Sequence, residues 1–155
     1  MKKFLKSFYY AAVGILSCIK DERNMRIHIC AAFYVLLLMP FYELTKGEKA
    51  AVFLCIGSVM AAECFNTAIE AAIDRCSPEK HPLAKLAKDA AAGGVLILAV
   101  FAAVTGCTIF FDTAVLKKIF EQMISKPAEA VLFVISVIVC GAFIILPCLG
   151  KEKKQ

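Results

Sequence analysis

Glu63, Asn66, Glu70 and Asp74 are the groups in this chain best suited by type and spacing to bind a cation or move a proton. On a helix each residue turns by about 100°, which puts Asn66, Glu70 and Asp74 near ~300°, ~340° and ~20° from Glu63, an arc of roughly 80°. The residues between them are mostly small or apolar. An acidic stripe on such a helix is stable only against protein, water or a cation. Asp74 can be explained as a helix end emerging into headgroups. Glu63 cannot, because it lies more than two turns deeper. Carboxylate and amide oxygens suit a hard cation such as Mg²⁺, which keeps some of its waters and shares its shell with phosphate.

The elements that must hold these groups are membrane helices. The chain has 155 residues, of which 61% are hydrophobic and 20% charged. A water-soluble fold of this size has too much surface to hide so much apolar side chain. That excludes an ordinary soluble enzyme, and the composition is equally unlike a disordered chain. Four apolar stretches cover residues 27–42, 50–73, 90–111 and 128–149. A crossing helix needs about 20 apolar residues, so the last three suffice and the first is short, ending at Pro40. Ahead of them, Phe4, Phe8, Ala11, Ala12, Ile15 and Ile19 recur at helical spacing, with Lys6, Tyr10, Ser17 and Lys20 on the other side. This pattern predicts a helix lying in the interface. Ile15-Leu16-Ser17-Cys18 also has a faint lipoprotein-signal pattern, but Lys6 interrupts its apolar core and further spans follow. Residues 74–89 read as a charged loop, and 112–127 as a loop containing a second interfacial helix. The fold class expected is all-α integral membrane, with an N-terminal amphipathic surface helix.

Counting Lys and Arg sets the orientation. With four spans and an internal N-terminus, thirteen fall on the inner side and five on the outer. The majority side is the cytoplasm. The net charge of +5 then means attraction to anionic inner-leaflet lipid, and no nucleic-acid module is present. The eight cysteines show no CxxC and no paired spacing, so they read as reduced small hydrophobes rather than a disulfide or zinc set.

At the cytoplasmic face the stripe gains neighbours. Glu22 stands just before the first span, and Lys85, Lys88 and Asp89 just before the third. Carboxylates, an amide and lysines together are what phosphoryl transfer requires: positive charge on the phosphates and one carboxylate to orient or deprotonate a hydroxyl. No soluble-kinase signature occurs. Gly93-Gly94 reads as a helix-packing feature.

The run from Glu63 through Asn66-Thr67-Ala68-Ile69-Glu70 to Asp74, followed by His81-Pro82-Leu83-Ala84-Lys85 and Lys88-Asp89, closely resembles the small prokaryotic diacylglycerol kinase family. Glu22 to His28 resembles its segment before the first span. The likeness covers about residues 3–112 and leans toward the Gram-positive branch, whose members include undecaprenol kinases. It implies a three-span kinase core behind a surface helix, assembled as a homotrimer with shared cytoplasmic sites. It implies Glu63 as catalytic base, and Glu22 and Glu70 as Mg²⁺ ligands bridging to ATP. Asn66, Arg26 and Asp74 would order the site or substrate. Tyr10, Glu79, His81, Lys88 and Asp89 would complete the ATP contacts. The reaction implied is transfer of the ATP γ-phosphate to a membrane lipid, undecaprenol ahead of diacylglycerol.

Two departures stand out. Lys3 replaces an arginine found in some members, and the chain continues past residue 112. The domain reading is therefore 1–112 for the kinase and 113–155 for an extension with a fourth transmembrane helix over 128–149. That last stretch has no acid between Glu129 and Glu152 and is expected to be structural. Two other classes fit four spans with buried acids: a small cation-coupled transporter and a non-catalytic scaffold. The transporter predicts gradient-driven uptake without Mg²⁺-ATP. The scaffold predicts that triple alanine substitution at Glu22, Glu63 and Glu70 alters stability alone.

Overall fold

The computed structural model describes residues 2–77 and 81–149. Glu79 and the basic tail with Lys151, Lys153 and Lys154 lie outside the described residues. Among the described residues six α-helices follow one another: α1 Lys2–Asp21, α2 Arg23–Leu38, α3 Lys46–Cys76, α4 Pro82–Phe110, α5 Thr113–Ser125 and α6 Pro127–Leu149. Four of them, α2, α3, α4 and α6, are long and apolar enough to cross a membrane. The chain is a multi-pass membrane protein.

Each boundary has a local cause. Glu22 adopts an extended backbone (φ −103°, ψ 122°) and so separates the interfacial α1 from α2. Pro40 cannot continue a helix, and α2 stops at Leu38 with a single 3₁₀ turn, Met39–Phe41. At the start of α3, Thr45 Oγ1 accepts from Glu48 N at 3.2 Å while Glu48 Oε2 accepts from Thr45 N at 2.8 Å, a reciprocal cap. His81 caps α4, its Nδ1 accepting from Leu83 N at 3.2 Å, with Pro82 in the first turn. Asp112 Oδ1 accepts from Ala114 N and Val115 N at 2.8 and 3.2 Å and starts α5.

The charged segment 74–89 is not the loop that hydropathy suggests. α3 runs to Cys76 and α4 begins at Pro82, so Asp74, Lys85, Lys88 and Asp89 are all helical. With 31 residues, α3 is about 46 Å long at 1.5 Å per residue and outlasts a hydrocarbon core of about 30 Å. Hydropathy marks where a helix leaves the membrane, not where it ends.

The α3–α4 hairpin is the main packing pair, and α2 lies against α3. α6 runs back along α2: Tyr34 Oη and Ser136 Oγ are 3.2 Å apart, Tyr34 meets the Phe133 ring edge-on at 5.9 Å, and Cys30 Sγ points to the Cys140 carbonyl at 3.9 Å. Among the described residues the buried set is small: Cys18, Met25, Arg26, Glu63 and Asn66, with Cys30, Val52, Val59 and Val95 along the spans and Tyr42 beyond α2. Elsewhere large apolar side chains face outward, as expected when lipid is the solvent. A Cβ added at Gly93 or Gly94 would meet nothing within 4 Å, so these glycines do not serve helix packing within the subunit.

The opposite end is tied by Tyr42. Its buried hydroxyl donates to the Phe110 carbonyl at 2.6 Å and its ring meets Phe110 edge-on at 5.0 Å. Burial and the nearby Asp112 push its phenol above its ordinary pKa, so it stays a donor. Tyr42→Phe is expected to remove about 1 kcal/mol, seen as a lower thermal unfolding midpoint in detergent with helix content retained.

Candidate active site

The site end of the molecule is organised by a sharp joint between α1 and α2. Arg26, buried on α2, turns back and donates through one terminal nitrogen to the Ile19 and Lys20 carbonyls at 3.0 and 2.9 Å. These belong to the last turn of α1, whose carbonyls lack helical partners and carry the negative end of its dipole. Arg26 therefore fastens the joint. It is a structural clamp in this arrangement rather than a side chain turned outward to substrate.

A second contact docks α1 onto α3. Cys18 Sγ and Thr67 Oγ1 are 3.2 Å apart, and Thr67 Oγ1 lies 2.9 Å from the Glu63 carbonyl. Burial, together with Cys64 beside it, pushes the Cys18 thiol from an ordinary 9.0 up to about 11. It is a protonated packing group, as the scattered cysteine spacing implies.

Glu63 is 1% exposed. Its Oε1 lies 3.3 Å from Nε2 of His28, one helix away on α2. One turn along α3, Asn66 Nδ2 donates to Glu70 Oε1 at 2.9 Å, and the buried Asn66 Oδ1 has no hydrogen-bond partner. Farther along α3, Asp74 forms an ion pair with Lys88 of α4, which pins the hairpin at its charged end.

The structure thus puts Glu63 against His28, Asn66 against Glu70 and Asp74 against Lys88, with Glu22 at the α1–α2 joint. Asp89 follows Lys88 and is exposed. Tyr10 is exposed two turns before Cys18, its ring edge-on to Tyr9 at 5.6 Å. His81 is exposed and caps α4. His28 is the residue that sequence reasoning missed. Its signal was present: between Arg26 and Glu43 it is the only side chain other than tyrosine and cysteine that titrates. Cys18 and Thr67 gave no such signal.

Among the described residues, no group of three or more His, Cys, Asp or Glu side chains is arranged to hold a metal unaided. Mg²⁺ does not need one, since it binds through one or two carboxylates, water and phosphate oxygens. The donor chemistry fits it: the Glu70 carboxylate lies against Asn66, whose buried amide oxygen has no partner, and Glu22 stands at the α1–α2 joint.

From His28 an apolar groove of about 510 Å³ runs between α2, α3 and α4. Alanines 31, 32, 99, 102 and 103 and Gly106 make room for it. The groove thus reaches His28, whose imidazole lies 3.3 Å from the buried Glu63 carboxylate. That arrangement can take a proton from a hydroxyl delivered along the slot.

Residues 9–110 match the prokaryotic diacylglycerol kinase family. The chain is 43% identical over 110 residues to an undecaprenol kinase of Bacillus subtilis, covering 71% of this chain and 89% of that protein. It is 37% identical over 103 residues to a diacylglycerol kinase of Synechocystis, covering 66% of this chain and 59% of that protein. A diacylglycerol kinase of Haemophilus influenzae is 34% identical over 111 residues, covering 69% of this chain and 92% of its own. No solved structure matches significantly.

The docking of α1 predicts a thiol pattern. Brief alkylation at mildly alkaline pH is expected to modify the exposed Cys76 and spare Cys18, read by peptide mass spectrometry. Equal modification of both would mean that α1 is not seated on α3.

Proposed function

Because the chain belongs to the prokaryotic diacylglycerol kinase family, we propose that this lipid kinase transfers the γ-phosphate of ATP to the hydroxyl of undecaprenol. The observation that carries the reading is Glu63, buried and 3.3 Å from His28, which itself lines an apolar groove. The 43% identity to an undecaprenol kinase favours a prenyl alcohol. Diacylglycerol is the second acceptor, favoured by the likeness to two diacylglycerol kinases. A gradient-driven transporter has no support from this family.

Each residue has a definite task in the proposal. Glu63 accepts the proton of the acceptor hydroxyl while that oxygen bonds to the γ-phosphorus. The bond from the γ-phosphorus to the bridging oxygen breaks, and ADP leaves. Glu22 and Glu70 hold Mg²⁺, with Asn66 beside them. When bound, the ion neutralises phosphate charge and so lowers the barrier to transfer. Lys88 adds positive charge near the phosphates, held in place by Asp74, with Asp89 next to it. Tyr10, Glu79 and His81 take the nucleoside end of ATP. Arg26 orders the joint that carries Glu22. The catalytic side is cytoplasmic, supported by thirteen basic residues against five on the other side. The kinase domain is 1–112, supported by a family match ending at residue 110, and 113–155 is an extension. The working form is a homotrimer with shared sites, for which the open face at Gly93 and Gly94 offers a close-packing surface.

The test uses purified protein in micelles with labelled ATP and Mg²⁺. Undecaprenol and diacylglycerol are offered separately and then in competition. Undecaprenol is expected to be preferred. Glu63→Gln is expected to lower transfer by about 10²–10⁴-fold with an unchanged unfolding midpoint. Full activity in Glu63→Gln would overturn the role of Glu63. Failure of folded protein to label either lipid would overturn the acceptor assignment.

A further inference from the structure

The two ends of the groove are built from different parts of the chain. At one end His28 is a wall of the groove and lies 3.3 Å from Glu63, which does not itself line it. Along the walls, no Asp, Glu, Lys or Arg is present among the described lining residues. On α2 the lining runs from His28 to Leu38, roughly 15 Å at 1.5 Å per residue. At the far end the lining includes Phe110, Phe111 and Leu116. The position of this end is held by the Tyr42 hydroxyl on the Phe110 carbonyl and by the Asp112 cap that starts α5. Phe111 and Leu116 lie beyond residues 9–110, the part matched by the family.

We propose that this groove seats the hydrocarbon chain of the acceptor lipid, and that Phe111 and the α5 residue Leu116 form a floor that selects acceptors by chain length. The inference rests on the lipid-kinase reading of Glu63. Continuity identifies the occupant: a lipid whose hydroxyl meets Glu63 has its chain next to His28, where the apolar slot begins. The floor follows from the extension. A chain shorter than the slot never reaches Leu116. A longer one meets it and must turn sideways between the helices into the bilayer. Acceptor length is thereby sensed by a segment that lies outside the matched kinase residues.

Two native thiols, Cys55 and Cys107, line the groove and report its occupancy without any turnover. Full-length protein in phosphatidylcholine nanodiscs is labelled with a membrane-permeant maleimide, with and without undecaprenol. The expected result is several-fold slower labelling of Cys55 and Cys107 with undecaprenol, and unchanged labelling of Cys76, which does not line the groove. Equal slowing by added phosphatidylcholine would mean unselected lipid and overturns the proposal. Protection without any acceptor, lost on dissociation to monomers, would mean a neighbouring copy in the groove and also overturns it.

The floor is tested by Leu116→Trp and Leu116→Ala across geraniol, geranylgeraniol and undecaprenol. Leu116→Trp is expected to raise KM for the longer two by roughly tenfold, with KM for geraniol and for ATP unchanged. Leu116→Ala is expected to leave geraniol unchanged and lower KM for geranylgeraniol. A change equal at all lengths in both variants overturns the floor. Thiol protection with no phosphate transfer to any acceptor would instead sink the kinase reading while leaving the groove assignment intact.

Discussion

A carboxylate more than three turns inside a membrane helix is the constraint on which the rest of this structure depends. Glu63 is almost wholly buried, and an isolated charge there is prohibitively unstable. It needs a partner in place, which fixes α2 against α3 at one register so that His28 reaches it at 3.3 Å. That register in turn depends on where α2 begins. The chain breaks helix at Glu22, and Arg26 holds the two halves of the break together through the α1 carbonyls. The most deeply buried side chains, Arg26, Met25 and Glu63, therefore lie at this joint and beside its partner helix.

The bilayer explains this inversion. Lipid tails are as apolar as leucine, so helices gain little by hiding side chains from them, and association relies on close packing and on polar ties. The ties present are few and well distributed. Lys88 with Asp74 closes the α3–α4 hairpin at its charged end, and Tyr42 on the Phe110 carbonyl closes the other end. Tyr34 with Ser136 fastens the last span to α2. Because these contacts sit at helix ends or on one outer flank, they leave the space between α2, α3 and α4 free for the apolar groove.

Much of this was legible in the sequence because it depends on local pattern. Pro40 stops α2, the period of Phe4, Phe8 and Ile15 makes α1 amphipathic, and Asn66, Glu70 and Glu63 share a face by helical spacing alone. Hydropathy failed at residues 74–89 because it reports the solvent around a helix and not the helix itself. The pairing of His28 with Glu63 was not legible, since it depends on the rotation and register of two helices whose apolar faces are interchangeable. The same ignorance of register hid Cys18 and Thr67, and it hid that Arg26 reaches backward to the α1 carbonyls. Glycines 93 and 94 show the same limit: small residues permit close packing, but only geometry tells that no neighbour within the subunit uses it.

The division between the two ends bears on how such a site would avoid wasting nucleotide. Water is the competing acceptor for any kinase, and a base open to solution would activate it as readily as a lipid hydroxyl. On the proposed reading, Glu63 is reached along the apolar slot, while the carboxylates and lysines that would hold the phosphates lie toward the charged end. A hydroxyl carried on a hydrocarbon chain arrives at the base with the slot filled behind it, so the chain itself excludes water from the reacting atoms. Acceptor choice and protection from hydrolysis then have one physical origin, the fit of the chain between α2, α3 and α4. The depth at which Glu63 is buried, costly for the fold, is what lets a membrane helix serve both.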